Sequence, residues 1–263
     1  MSLSSPSRAL IHLLRGIQHR IGTYIVRFVL IVSVPPLKEM VEIVRLGTEY
    51  GGWWVPAEEA SLRFSNCFSV GAGEDISFDV ELANRFGSTV IIVDPTPRAL
   101  LHFNSVKTQL YGKSNHRDQP SHEPYDAGLI PKFLGQLRFV SVGVWDSDTV
   151  QKFFAPKISS HVSHSITNLQ ATNEYFEAQC YSIKTLFELF SGDVAPSLLK
   201  LDIEGAEHRV IRQMLYDGVR PHLLLIEFDD GALRAMSRTG RLLRRSGYRR
   251  AKVENRNALF ILR

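Results

Sequence analysis

The sequence predicts an α/β fold: a mostly parallel sheet, finished by an antiparallel hairpin at its C-terminal edge. Three observations predict it. Short runs rich in β-branched residues recur along the chain, separated by stretches of helical periodicity. Several of these runs are apolar throughout rather than alternating, as in strands covered on both faces. The last two runs, Tyr248–Val253 and Ala258–Leu262, lie too close together for a helical crossover and pair as a hairpin. This combination is Rossmann-like. Its 263 residues, 44% hydrophobic and 22% charged, have the composition of a globular protein and exclude collagen-like and low-complexity classes. The reading divides the chain into an N-terminal helical extension, 1–45, and one domain, 46–263.

In the extension, Leu10, Leu13, Leu14, Ile17, Ile21, Tyr24, Ile25 and Phe28 follow one helical stripe, with Arg8, Arg15 and His19 opposite. Beyond Ile21 the run is apolar all round, is interrupted by Arg27 and stops at Pro35-Pro36. It is too short for the roughly 20 apolar residues of a spanning helix, and no small-residue cleavage pattern marks a signal peptide. A helix packed on the domain ranks first. Peripheral membrane contact through residues 8–34 ranks second, and a membrane anchor third.

The domain then keeps a regular rhythm. Cys67–Val70 reads as a strand ending in Gly71-Ala72-Gly73, followed by a helix from Ile76 to Phe86 that Gly87 closes. Thr89–Val93 is a strand ending at Asp94, and Pro97 opens a second helix. The polar stretch Lys107–Asp126 reads as a loop insertion, and Leu137–Trp145 as one strand. His161–Ile166 and Tyr175–Cys180 read as an antiparallel pair. Ser182–Phe190 is a helix, Ser197–Asp202 a buried strand, Gly205–Tyr216 a helix and His222–Phe228 another buried strand. A basic helix spans Ala232–Arg245.

Charge is unevenly placed within a net charge of +4. Four arginines and no acid precede Glu39, and ten basic residues after Ala232 face only Glu254. A solvated helix face explains this more simply than an anionic partner. No recognised RNA module or aromatic-interleaved basic strand is present, so nucleic acid is not the expected partner. Cys67 and Cys180 show neither zinc spacing nor disulfide density, which points to a reduced, cytoplasmic setting.

In an open α/β sheet, ligands bind at the carboxyl ends of the strands. Gly71 and Gly73 allow a tight turn and close backbone approach, and Asp94 stands 21 residues after Gly73, placed to accept ribose hydroxyls. Ile76 occupies the place of the third glycine of a dinucleotide turn. Glu74 and Asp75 would repel a pyrophosphate at the helix N-terminus but favour a sulfonium and an ammonium group. The turn therefore reads as a site for S-adenosylmethionine rather than for NAD. First-turn acids that merely stabilise the helix are the plainer alternative.

Four segments carry a family resemblance: Leu46-Gly-Thr-Glu-Tyr-Gly-Gly-Trp-Trp-Val-Pro56, Ser69-Val-Gly-Ala-Gly-Glu-Asp-Ile-Ser-Phe-Asp79, Asp94-Pro-Thr-Pro97 and Lys200-Leu-Asp-Ile-Glu-Gly-Ala-Glu207. Together they resemble the FkbM family of S-adenosylmethionine-dependent methyltransferases, and the last is the most specific. The resemblance implies O-methylation of a hydroxyl on a sugar, glycan or natural product. By position it implies cofactor contacts from Ser69, Gly71, Gly73, Glu74, Asp94, Pro95, Val142 and Gly143. The insertion after residue 106 and the arginine-rich ends depart from the family and bear on the substrate.

For the chemistry, Asp202 is the first choice as general base or substrate-orienting group, and Glu204 the second. Glu207 reads more simply as a helix-terminus charge. Asp202 with Asp229 and Asp230 would also form an oxygen cluster suited to Mg²⁺, a reading ranked well below metal-free chemistry. His161 and His164 point to opposite strand faces, which argues against a shared metal. Trp53 and Trp54 are candidates to cover the cofactor, with core packing expected for at least one. Two further alternatives are a methyltransferase acting on RNA and a non-catalytic membrane-associated protein.

Overall fold

The computed structural model describes residues 22–111, 134–154, 166, 172–192, 194–229 and 232–263. Among the described residues, most of the predicted strands and helices form, in the expected order. A seven-stranded sheet runs β11-β12-β10-β9-β3-β4-β5. Its strands are β3 (Asn66–Val70), β4 (Thr89–Val93), β5 (Leu137–Val140), β9 (Leu198–Leu201), β10 (Leu223–Glu227), β11 (Tyr248–Glu254) and β12 (Asn257–Leu262). From β5 to β10 all neighbours are parallel. Strand β12 inserts antiparallel between β10 and β11, so the edge strand β11 runs with the parallel set. The chain proceeds outward from β3 through β4 to β5, then returns to lay β9 and β10 on the other side of β3. The order reverses between β3 and β9, where such sheets open a crevice.

Both faces of the sheet are covered, which is why its strands are apolar throughout. On one face lie α1 (residues 22–33), α4 (Ile183–Phe190), α5 (Glu207–Tyr216) and α6 (Leu233–Arg245). On the other lie α2 (Ser77–Phe86) and α3 (Pro97–Tyr111), with a hairpin of β1 (Ile43–Leu46) and β2 (Trp53–Pro56). Side chains alternate between the two cores: Leu224 and Ile226 of β10 face α4 to α6, Leu223 and Leu225 the opposite layer. By the same alternation Lys200 and Glu227 project toward the hairpin. Helix α1 is packed on the domain through Val26, Val29 and Leu30, with Val34 just beyond it. Fully burying one such side chain contributes about 1.5–3 kcal/mol. Among the described residues no helix is long and apolar enough to cross a membrane.

Three readings of the sequence differ from the structure. Leu137–Trp145 is not one strand: β5 ends at Val140, and Gly143–Val144 forms β6 in a separate sheet ordered β6-β8-β7. The antiparallel pair described in that sheet joins β7 (Thr149–Phe154) to β8 (Tyr175–Tyr181), and the strand predicted over 161–166 lies, except for Ile166, outside the described residues. Phe153 and Phe176 stack at 5.3 Å across the β7–β8 pair and fix the register. Residues 107–111 still belong to α3 rather than to a loop. The β1–β2 hairpin was not foreseen, because four-residue strands around a Gly-Gly pair carry little periodicity. His161, His164, Asp230, the stripe before Gly22 and the insertion from 112 to 126 lie outside the described residues.

Candidate active site

Two backbones meet at the reversal point. Gly71 ends β3 with φ +82°, and a Cβ there would lie 1.8 Å from the carbonyl oxygen of Asp202 at the end of β9. Only glycine tolerates both the left-handed backbone and that approach. Gly73 also has positive φ (+54°), but a Cβ there would meet nothing within 4 Å. It borders a cavity of about 310 Å³, at the lower end of the size range of small-molecule sites.

One wall of the cavity is the glycine turn with Asp94, Pro95 and Thr96. Asp94 is buried, and its carboxylate organises the turn. Oδ2 accepts from the N–H groups of Ala72 (2.9 Å) and Gly73 (3.1 Å). Oδ1 accepts from the N–H (2.8 Å) and hydroxyl (2.6 Å) of Thr96. These four bonds occupy the carboxylate's four lone-pair positions. Glu74 is held by the Arg98 guanidinium through two bonds of 3.1 and 2.9 Å. Asp75 accepts from the Ser77 N–H (2.8 Å) and the Thr48 hydroxyl (2.5 Å). Both acids of the turn therefore have partners, and they repel an anion less than the bare sequence implies.

The second wall comes from the loop of the β1–β2 hairpin. Thr48 N–H donates to the Ser77 hydroxyl (2.8 Å) and Gly47 N–H to Glu81 (2.9 Å), fastening the loop to α2. Tyr50, Gly51 and Trp53 are thereby brought to the cavity. Trp54 faces away, donating from Nε1 to Glu254 (2.9 Å). Gly143, Val144, Phe153 and Ile166 supply the apolar side. Val142 packs on the core instead, and Ser69 is fully buried beneath the turn; neither is on the cavity wall.

The third wall is acidic. Asp202, Glu204 and Glu227 line it, with Asp229 beside them. Asp202, Glu204 and Asp229 each place one oxygen within 4.8 Å of the others, so Glu204 joins the predicted Asp202–Asp229 pair. Glu204 has positive φ (+49°) and precedes Gly205 at +90°. This turn delivers the carboxylate to the cavity and then starts α5, at a local cost of about 1–3 kcal/mol. Burial, then Asp202, Asp229 and Glu204, push Glu227 up to about 9. Burial, then Glu204, Glu207 and Asp202, push Asp229 up to about 8. Both shifts favour the protonated carboxyl.

Two resident cations moderate this charge. Arg256 Nη1 stands 3.6 Å from Asp229 Oδ1. Lys200 is buried, donates to the Gly71 carbonyl (2.6 Å), stands 3.4 Å from Asp202 Oδ2 and lies 5.3 Å from the Trp53 ring centre. It thus ties the glycine turn to the acidic wall. Buried Asp79, pushed up to about 6 by burial, feels the same ammonium.

Of the predicted site residues, Gly71, Gly73, Glu74, Asp94, Pro95, Gly143, Asp202 and Glu204 converge on the one cavity. Sequence reasoning missed Tyr50, Lys200, Glu227 and Asn257. The one available signal was Lys200, a lone charge inside an apolar strand. A family model described as Methyltransferase FkbM domain matches residues 62–250. No curated protein matches the chain.

Proposed function

The chain belongs to the FkbM methyltransferase family, and from that premise we propose that it transfers a methyl group from S-adenosylmethionine to a hydroxyl on a sugar, glycan or natural-product acceptor. The observation that carries this reading is the meeting of an open glycine cradle at Gly73 with an acidic wall across one cavity. The residues suit that cofactor. Pro95, Val144, Phe153 and Ile166 offer an apolar surface for adenine, and the carboxylates suit an ammonium and a sulfonium. Asp94 holds the turn, and its contact with ribose hydroxyls is made in competition with four resident donors.

The cofactor supplies an electrophilic methyl group on sulfur. In this reading Asp202 is the general base that takes the acceptor's hydroxyl proton, with Glu204 orienting the acceptor. Glu227, whose proton is held by burial and by its acidic neighbours, is suited to donate a hydrogen bond to an acceptor oxygen. Tyr50, exposed at the cavity, offers an aromatic face on which a sugar ring stacks. Mg²⁺ at Asp202, Glu204 and Asp229 is the second reading, favoured by their 4.8 Å grouping. We rank it lower because Lys200 and Arg256 already accompany two of the three carboxylates.

The test is methyl transfer from labelled S-adenosylmethionine to a panel of hydroxylated sugars and glycans, with amines and RNA in parallel. Asp202→Asn is expected to lose about 10²–10⁴-fold in rate while keeping S-adenosylhomocysteine binding. Labelling of RNA or amines alone would overturn the acceptor class. Abolition of activity by a chelator, with rescue by Mg²⁺, would promote the metal reading.

A further inference from the structure

We propose that α1 and α6 together form a docking face for an anionic lipid bilayer. The fold needs only the inner face of α1, yet the outer face is apolar too. Tyr24, Phe28, Ile31 and Val32 are 72, 67, 43 and 66% exposed. Their i, i+4, i+7, i+8 spacing places them on one stripe. Beside it lies a cationic helix. Arg234, Arg238, Arg241, Arg244 and Arg245 of α6 are all exposed, and residues 233–245 contain no acid. Among the described residues, none of the five comes within 4 Å of a carboxylate.

The two surfaces are neighbours that look the same way. A Cβ on Gly240 of α6 would lie 2.6 Å from Ser33 Cβ, at the end of α1. Val26, Val29 and Leu30 of α1 and Met236 and Leu243 of α6 enter the same core. The outward sides of both helices therefore flank one another on the same layer. An apolar, aromatic-bearing stripe beside a row of arginines matches the interface of a bilayer with anionic headgroups. Each arginine close to such a surface contributes attraction, and the stripe enters the boundary between headgroups and acyl chains. RNA would engage the arginines but leave the stripe exposed. A second copy on the same face would bring like-charged helices together.

The test is vesicle flotation of the full chain, read independently of any methyl transfer. Vesicles of phosphatidylcholine alone are compared with equal parts phosphatidylcholine and phosphatidylglycerol. The chain is expected to float with the anionic vesicles, less so at high salt, and not with the neutral ones. The triple variant Tyr24→Ser/Phe28→Ser/Val32→Ser and the double variant Arg238→Glu/Arg241→Glu alter exposed positions, and thermal melting checks their folding. Each is expected to weaken flotation at least about tenfold. Failure of the unaltered chain to float would overturn the proposal, as would flotation retained by both folded variants. Vesicle-independent dimerisation that the triple variant abolishes would assign the face to a second copy instead.

Discussion

The two ends of the cavity are built on different terms. At the glycine turn every acid has its partners: Asp94 accepts four hydrogen bonds, Glu74 meets Arg98, and Asp75 meets Ser77 and Thr48. At the acidic wall four carboxyl groups, Asp202, Glu204, Glu227 and Asp229, crowd together, with Lys200 beside Asp202 and Arg256 beside Asp229. The turn is a finished frame. The wall gathers acids that burial and mutual repulsion push toward protonation. What links them is Lys200, which bonds to the turn and faces the wall.

The sharpest way to break this contrast is to damage the frame. Gly71→Ala forces a left-handed backbone and a collision with the Asp202 carbonyl. Strain and overpacking together are expected to cost about 3–5 kcal/mol, read as a fall in urea midpoint or as failure to fold. Next comes the link. Lys200→Met removes a buried ammonium from among Asp79, Asp202 and Glu227 and leaves the Gly71 carbonyl without its donor. A loss of about 3 kcal/mol is expected, as for breaking a buried charge pair. A change below about 0.5 kcal/mol would show that the two ends do not depend on it.

Gly73→Ala sharpens the contrast from the other side. Its Cβ meets no protein atom within 4 Å, so only the left-handed backbone opposes it, at about 1–2 kcal/mol. Binding of S-adenosylhomocysteine is nevertheless expected to weaken at least about tenfold, or about 1.4 kcal/mol, because the methyl group enters the cradle. Unchanged affinity would place the ligand elsewhere.

The acidic wall also sets a pH dependence. Glu227 and Asp229 titrate near 9 and 8 in the folded chain, against about 4 when unfolded. Between those values the folded state holds more protons than the unfolded one, so stability falls as pH rises. The stabilisation is complete below about pH 4 and is lost through about pH 8 to 9. Glu227→Gln is expected to flatten the fall in melting temperature between neutral pH and about pH 9. A slope equal to that of the unaltered chain would show that Glu227 is ionised throughout.

The parallel frame was legible because its strands are apolar on both faces and end at glycines or acids. The glycine turn, Asp94 and Asp202 were readable for that reason: strand ends collect at one edge of the sheet. Which side chains turn into the cavity was not readable. Lys200 and Glu227 share a face by a two-residue alternation that becomes meaningful only once the hairpin is known to cover it. The hairpin was invisible in short strands, and so therefore was Tyr50's place at the cavity. Arg98 lies 24 residues after Glu74, and only the fold brings them together. The sequence also posed packing and membrane contact as alternatives for the first helix. In α1 one face is packed and the opposite face is apolar and exposed, so the structure separates the two questions.

The most direct test is calorimetric titration of the folded chain with S-adenosylhomocysteine, with NAD⁺ as the control. Saturable one-to-one binding of S-adenosylhomocysteine, weakened in Gly73→Ala, with no heat from NAD⁺, is the predicted result. Binding of NAD⁺ in its place, or of neither, would contradict the assignment of the cavity.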